Sequence, residues 1–211
     1  MKFEDLIRII RHEPLFSTTF LLAGEVLPAQ IRLQLSRWVK AGRLYQLRRG
    51  LYSLAPPWRK VLPHPFFIAN RLQRGSYVSL QSALAYYGVI PEHVPVVTSV
   101  GPGRPEVIEN PTGAYLFKHI SPGLQFGYGR VEVAPNQFAF IASPEKALLD
   151  LIYLTPGADS PEYLNELRLQ NPDAINGTTL GEMVARTGKP KLIRAFQRVT
   201  PILEAQRRVA L

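Results

Sequence analysis

Residues 28–54, PAQIRLQLSRWVKAGRLYQLRRGLYSL, constrain the fold more than any other stretch of the chain. At 100° per residue, Ile31, Leu35, Trp38 and Val39 gather on one side of a helix running from Pro28 to Ala41, as a core-facing stripe does. Ala29, Gln30, Leu33, Arg37 and Lys40 gather on the opposite side, with Arg32, Gln34 and Ser36 on the flanks. That outer face carries amides, guanidinium groups and an ammonium, and no carboxylate. Pro28 suits the first helical turn, where its missing N–H costs nothing, and Gly42 suits a left-handed stop. Leu44 to Leu47 then runs into Arg48-Arg49-Gly50, and Leu51 to Leu54 runs back, which reads as a β-hairpin. A helix followed by a basic hairpin is the working half of a winged helix-turn-helix, and an acid-free face beside an arginine turn points to DNA. The competing reading is a solvated amphipathic helix with a basic turn.

The charge distribution bears on that choice. Residues 1–60 hold 11 Lys and Arg against 4 Asp and Glu, a net of +7. Residues 61–211 hold 14 against 12, a net of +2. A basic module on a nearly neutral body implies a polyanionic partner for the module alone. The 211 residues suit one large domain or two small ones, and 46% hydrophobic content is ample for a core. The absence of cysteine excludes disulfides and thiolate metal sites and fits a reducing, cytoplasmic setting. No apolar run reaches the 18 or so residues of a membrane span, so no membrane association is expected. The acid-containing start, MKFEDLIRIIRHE, does not read as a signal peptide.

Taken in order, Phe3 to Arg11 reads as a first helix, with Phe3, Leu6, Ile7 and Ile10 at helical spacing. Ser17 reads as the N-cap of a short second helix, Thr18 to Ala23, stapled by Phe16 and Leu21 and closed by Gly24. The module is expected to span residues 1–55 and to end at the stiff Pro56-Pro57 linker. An α+β body is expected over residues 58–155. It has helices at His64–Leu72 and Leu80–Tyr87, the second capped by Ser79. Strands follow at Val94–Val100, Ala114–Ile120, Gly129–Val133 and Gln137–Ala142, separated by Gly/Pro clusters. Ser143-Pro144-Glu145 opens a nearly all-apolar helix to Leu154 with an N-cap, a first-turn proline and a first-turn acid. Residues 156–211 read as a helical extension packed on the body: Pro161–Gln170, Leu180–Thr187, and Pro190 to about Arg208 with a kink at Pro201. The expected fold class is α+β, an N-terminal winged helix-turn-helix followed by a mixed body with a helical C-terminus.

Catalytic chemistry finds no constellation. His12, His64, His93 and His119 share no ligand spacing, so no metal is expected. Gly101-Pro102-Gly103 reads as a turn rather than a phosphate cradle, and Gly188-Lys189-Pro190 lacks the rest of a P-loop. Glu145 and Asp150 lie about 140° apart around their helix and do not converge. Glu145 reads as a helix-dipole partner. Asp150, in an apolar helix, needs a partner or solvent. No cofactor and no enzymatic activity are expected.

Three stretches together resemble a known family. They are WVKAGRLYQLRRGLYSL at Trp38–Leu54, YVSLQSALAYYGVIPE at Tyr77–Glu92 and ASPEKALLDLIYL at Ala142–Leu154. They are similar, in the same order, to the recognition helix and wing, the serine-alanine-leucine helix and the Ser-Pro-Glu-Arg/Lys…Leu-x-Asp helix of the AbiEi-type abortive-infection antitoxins. The likeness covers most of residues 1–155. It implies a transcriptional repressor that autoregulates its operon and counteracts a partner nucleotidyltransferase toxin, as in type IV toxin–antitoxin systems. A one-component regulator whose body binds a ligand, with no toxin partner, shares the same architecture.

The candidate site residues follow. Gln30, Arg32, Leu33, Gln34 and Arg37 are expected in the major groove of double-stranded operator DNA, since an amide pairs with adenine, a guanidinium with guanine and an apolar tip with the thymine methyl. Lys40, at the far end, is expected to meet phosphate, and Arg48 and Arg49 the backbone or the adjacent minor groove. The protein would act as a monomer, or as a dimer on an inverted repeat. On the last helix, Leu192, Phe196, Val199 and Leu203 form a docking stripe. Lys191, Arg194 and Arg198 form a separate acid-free face, either solvated or a second polyanion surface for the toxin or its nucleic acid.

Overall fold

The computed structural model describes residues 1–10, 12–22 and 27–209. Helix α1 (Phe3–Ile10), strand β1 (Phe16–Ser17), helix α2 (Thr18–Leu21), helix α3 (Pro28–Lys40) and strands β2 (Leu44–Arg48) and β3 (Leu51–Leu54) form the N-terminal part. The expected end of the second helix at Ala23 and Gly24, and Arg11 at the end of the first, lie outside the described residues. The Ser17 hydroxyl accepts from the Phe20 amide and caps α2. Helix α3 begins at its proline and stops where Gly42 takes φ +67°, a conformation open to glycine at little cost. The hairpin pairs Leu44 with Leu54 and Gln46 with Tyr52, and β1 adds antiparallel to β3, giving the order β1-β3-β2. Phe3, Leu6, Ile10, Ile31, Leu35 and Leu44 bury their side chains in one cluster under these elements. Each such burial contributes about 1.5–3 kcal/mol.

The module does not stop at the proline pair. Trp58 packs edge-on against Phe3 at 5.6 Å between ring centroids, and Phe3 also meets Trp38 at 5.4 Å. The first apolar cluster therefore reaches past Pro56-Pro57, whose peptide bond is cis. Leu15 and Leu47, by contrast, join the larger cluster of the body. The Asn110 amide donates to the Leu47 carbonyl at 3.3 Å, so the hairpin is tied to the body as well as covalently linked to it.

The body follows with α4 (Pro65–Leu72), β4 (Tyr77–Val78), α5 (Leu80–Tyr86), β5 (Val96–Gly101), β6 (Glu106–Asn110), β7 (Gly113–His119), β8 (Tyr128–Ala134), β9 (Gln137–Ala142), α6 (Pro144–Leu154), α7 (Pro161–Glu166), α8 (Gly177–Thr187) and α9 (Pro190–Val209). Its six-stranded sheet runs β6-β7-β5-β4-β9-β8. Strand β5 is parallel to β7 and β4 is parallel to β9, so this is a mixed sheet and not a run of hairpins. Strand β6 had no counterpart in the sequence reading. Helix α5 packs on α6, and α6 packs in turn on α8 and α9. Leu180, Val184, Leu192, Ala195, Val199 and Leu203 bury themselves in the same cluster as the sheet. Helix α7 ends four residues before the expected Gln170, and Pro201 sits inside an α9 that continues to Val209. No helix among the described residues is long and apolar enough to cross a membrane.

Candidate nucleic-acid interface

Helix α3 turns Ile31 and Leu35 into the core at 2% and 0% exposure, and Trp38 and Val39 flank them half-buried. Periodicity alone then fixes the other side. Ala29, Gln30, Arg32, Leu33, Ser36, Arg37 and Lys40 are exposed and Gln34 is half-buried. Leu33 stands 53% exposed, an apolar tip amid polar groups. Among the described residues, the side chains of Gln30, Arg32, Gln34, Arg37 and Lys40 make no hydrogen bond and no ion pair within the chain. Three cations and the Gln30 amide thus face solvent, with Gln34 half-buried beside them, on a 13-residue helix that contains no acid. Exposed guanidinium and amide groups of this kind carry the donors that base edges and phosphates accept.

The hairpin turn divides its two arginines. Arg49 is exposed at the turn. Arg48 is not available in the way the sequence suggested, because its Nη1 donates to the Leu72 carbonyl at 2.8 Å and to Glu106 Oε1 at 2.8 Å. Its side chain remains 44% exposed, yet the charge is engaged by the body. A DNA phosphate would have to compete with that pair. The partner, Glu106, lies on the strand absent from the sequence reading, so no local signal could have paired it. Beside this contact, Arg48, Arg74, Arg104 and Glu106 line a depression of about 430 Å³.

The basic face of α9 also requires correction. Lys191 Nζ donates to the carbonyls of Thr155 and Tyr153. Arg194 pairs with Asp159 at 2.8 Å, and Arg198 donates to the Asp159 carbonyl. Arg207 reaches the Pro172 and Ile175 carbonyls. Arg194 holds the Asp159 carboxyl below its ordinary value, chiefly through their hydrogen bond. Burial lowers Lys191, with Asp159 opposing. The face reads as free on a helical wheel because its acid comes from the loop before α7, 35 residues away. In three dimensions these cations fasten α9 to the body.

One charged pair is wholly buried. Lys146 and Asp150, one turn apart on α6, pair with both side chains 2% exposed. Asp150 Oδ2 also accepts from the Tyr77 hydroxyl at 3.0 Å and the Ser79 hydroxyl at 2.8 Å. Burial raises Asp150 and lowers Lys146, while their mutual attraction opposes both shifts; burial also raises Tyr77. Ser79 therefore does not cap α5 with its side chain, as the sequence suggested; its hydroxyl is turned to Asp150. Next to it Leu80 takes φ +57°, unusual for a bulky residue. Gly127 gives Lys146 room, since a Cβ there would lie 3.1 Å from Lys146 Cβ. Glu145 accepts from the Asn176 amide at 2.7 Å and so joins α6 to the start of α8. The Ser-Pro-Glu-Lys…Asp pattern thus has architectural work in every position: cap, first turn, tie to α8, and buried pair. Among the described residues, no three His, Cys, Asp or Glu side chains gather where they could hold a metal ion. No protein-family model matches the chain, and no curated protein is similar enough to it to count as a relative.

Proposed function

We propose that the chain is a sequence-specific DNA-binding transcriptional repressor that acts as the antitoxin of an abortive-infection pair, repressing its own operon and countering a nucleotidyltransferase toxin in the cytoplasm. One observation carries the DNA-binding part: α3 contains no acid, and its exposed amide and cations have no internal partner among the described residues. The succession of α1, β1, α2, α3 and the β2–β3 hairpin supports reading residues 1–55 as a winged helix-turn-helix with α3 as recognition helix. The antitoxin part rests on the resemblance of three stretches to that family.

Fluorescence anisotropy with fragments from upstream of the chain's own reading frame tests the first part. A specific site should bind roughly a thousandfold or more tighter than random DNA of equal length at physiological salt. Equal affinity for every fragment rejects a repressor. Co-expression with an adjacent nucleotidyltransferase reading frame tests the second part. Growth arrest by the enzyme alone, relieved by this chain, supports it, and arrest that persists rejects it. A second reading, a ligand-responsive regulator without a toxin, is favoured by one feature of the body, a groove lined by aromatic rings and guanidinium groups.

A further inference from the structure

A groove of about 700 Å³ opens between α4, the β8–β9 edge of the sheet and the Glu13-Pro14 segment of the N-terminal part. Its size suits a small organic ligand, as binding clefts run from about 300 to 1,000 Å³. Two kinds of group converge on it. Arg71, Arg74 and Arg130 line it and are exposed, and none pairs with an acid among the described residues. Arg130 lies 3.7 Å from the Phe138 ring centroid and Arg71 5.0 Å from that of Phe67, so aromatic faces aim two of these cations without neutralising them. Tyr128 and Phe140 stand 39% and 46% exposed, with ring centroids 6.1 Å apart and planes nearly perpendicular. Tyr128 is held from behind by Tyr77, stacked at 4.2 Å, whose hydroxyl is anchored on Asp150. The nearby acids are Glu13, which lines the groove, Glu132, whose carboxylate accepts from the Asn136 amide, and Glu106, which shares the adjacent depression with Arg74 and is paired with Arg48.

Three unpaired guanidinium groups ask for a multiply charged anion, and rigid exposed rings beside them ask for a planar apolar group on the same molecule. We infer that this groove binds a free nucleotide, its phosphate held by Arg71, Arg74 and Arg130 and its base laid against Tyr128 and Phe140. A long single strand would combine the same contacts, but it needs an open track along which successive bases stack, whereas this groove is bounded by Glu13-Pro14 at one side. The inference is independent of DNA binding by α3 and is tested on the full chain without DNA.

Isothermal titration calorimetry with the four ribonucleoside 5′-monophosphates, each to 1 mM, is the experiment. At least one should bind saturably. Arg130→Ala and Arg71→Ala should each weaken it about tenfold, the usual cost of a lost charge-assisted contact, and Phe140→Ala should weaken the nucleotide while leaving inorganic pyrophosphate unaffected. Arg130→Lys, with an unchanged melting temperature, separates a lost contact from a damaged fold and should bind with intermediate affinity. Failure of all four nucleotides to bind overturns the assignment, as does binding that survives loss of both Arg71 and Arg130. A twelve-residue deoxythymidine strand that binds a hundredfold tighter than any mononucleotide would replace the free nucleotide by a nucleic-acid strand.

Discussion

Helices α3 and α9 carry nearly the same exposed chemistry and meet opposite fates. Each presents three cations on an acid-free face: Arg32, Arg37 and Lys40 on one, Lys191, Arg194 and Arg198 on the other. On α3 those groups point to solvent with no partner among the described residues. On α9 they reach Tyr153, Thr155 and Asp159 and hold the helix down. A helical wheel cannot separate the two, because what neutralises a face lies on another element. The lesson is that an acid-free face is evidence for a polyanion partner only after the chain's own loops have had their chance at it. Lys146 extends the series to its limit, a cation wholly enclosed with its acid.

If that ordering is right, stability effects should rise with enclosure and DNA effects should fall. The largest change is expected at α6. Asp150→Ala leaves Lys146 buried without its partner and should cost about 3–5 kcal/mol in urea unfolding, whereas Lys146→Met with Asp150→Leu should recover much of it. A loss below about 1 kcal/mol for the single variant would mean that solvent reaches the pair. Next in size is Arg37→Ala on α3. It should weaken the specific DNA site by about 1–3 kcal/mol, barely affect random DNA, and leave the urea midpoint unchanged. Equal losses on both DNAs would remove base reading from this residue.

The hairpin turn offers the comparison within two adjacent residues. Arg49→Ala should flatten the slope of log affinity against log salt by about 0.9, the signature of one lost phosphate contact. Arg48→Ala should leave that slope alone and lower the melting temperature, since its charge is engaged by Leu72 and Glu106. Reversed results would move the phosphate contact to Arg48. The smallest effect is expected at Arg194. Because Asp159 has its folded pKa held below the ordinary 3.8, the pair stabilises the fold above that value and the contribution is lost as pH falls through the folded pKa. The difference in melting temperature between the native chain and Arg194→Ala should therefore be present at pH 6 and close below pH 3.8. A difference independent of pH would mean that Arg194 acts by packing alone.

Much of the architecture was legible because its signals are short. Ser17 and Ser143 cap their helices through the amides three residues on, and Pro28 and Gly42 bracket α3 where expected. Strand β6 was not legible. Glu106 to Asn110 alternates half-buried and exposed residues at the sheet edge, sits between two turn-rich clusters, and contributes little apolar sequence of its own. Missing it meant missing Glu106, and with it the reason Arg48 differs from Arg49. Ser79 departs from its local signal for a related cause: its position suits a cap, but its hydroxyl serves a carboxylate 71 residues away.

By itself the sequence determined where α3 and α6 lie, which face of α3 stays wet, and that the first 60 residues carry most of the positive charge. Those properties arise from periodicity, capping and composition, which act within a turn or two of the chain. Only the tertiary structure decided which cations remain available, how the sheet orders its strands, that Trp58 joins the first apolar cluster, and that rings from β8 and β9 meet arginines from α4 and β8. Each of these depends on groups far apart in sequence being brought within a few ångströms, and the Coulomb and packing terms that matter there fall off too steeply with distance for any local pattern to record them.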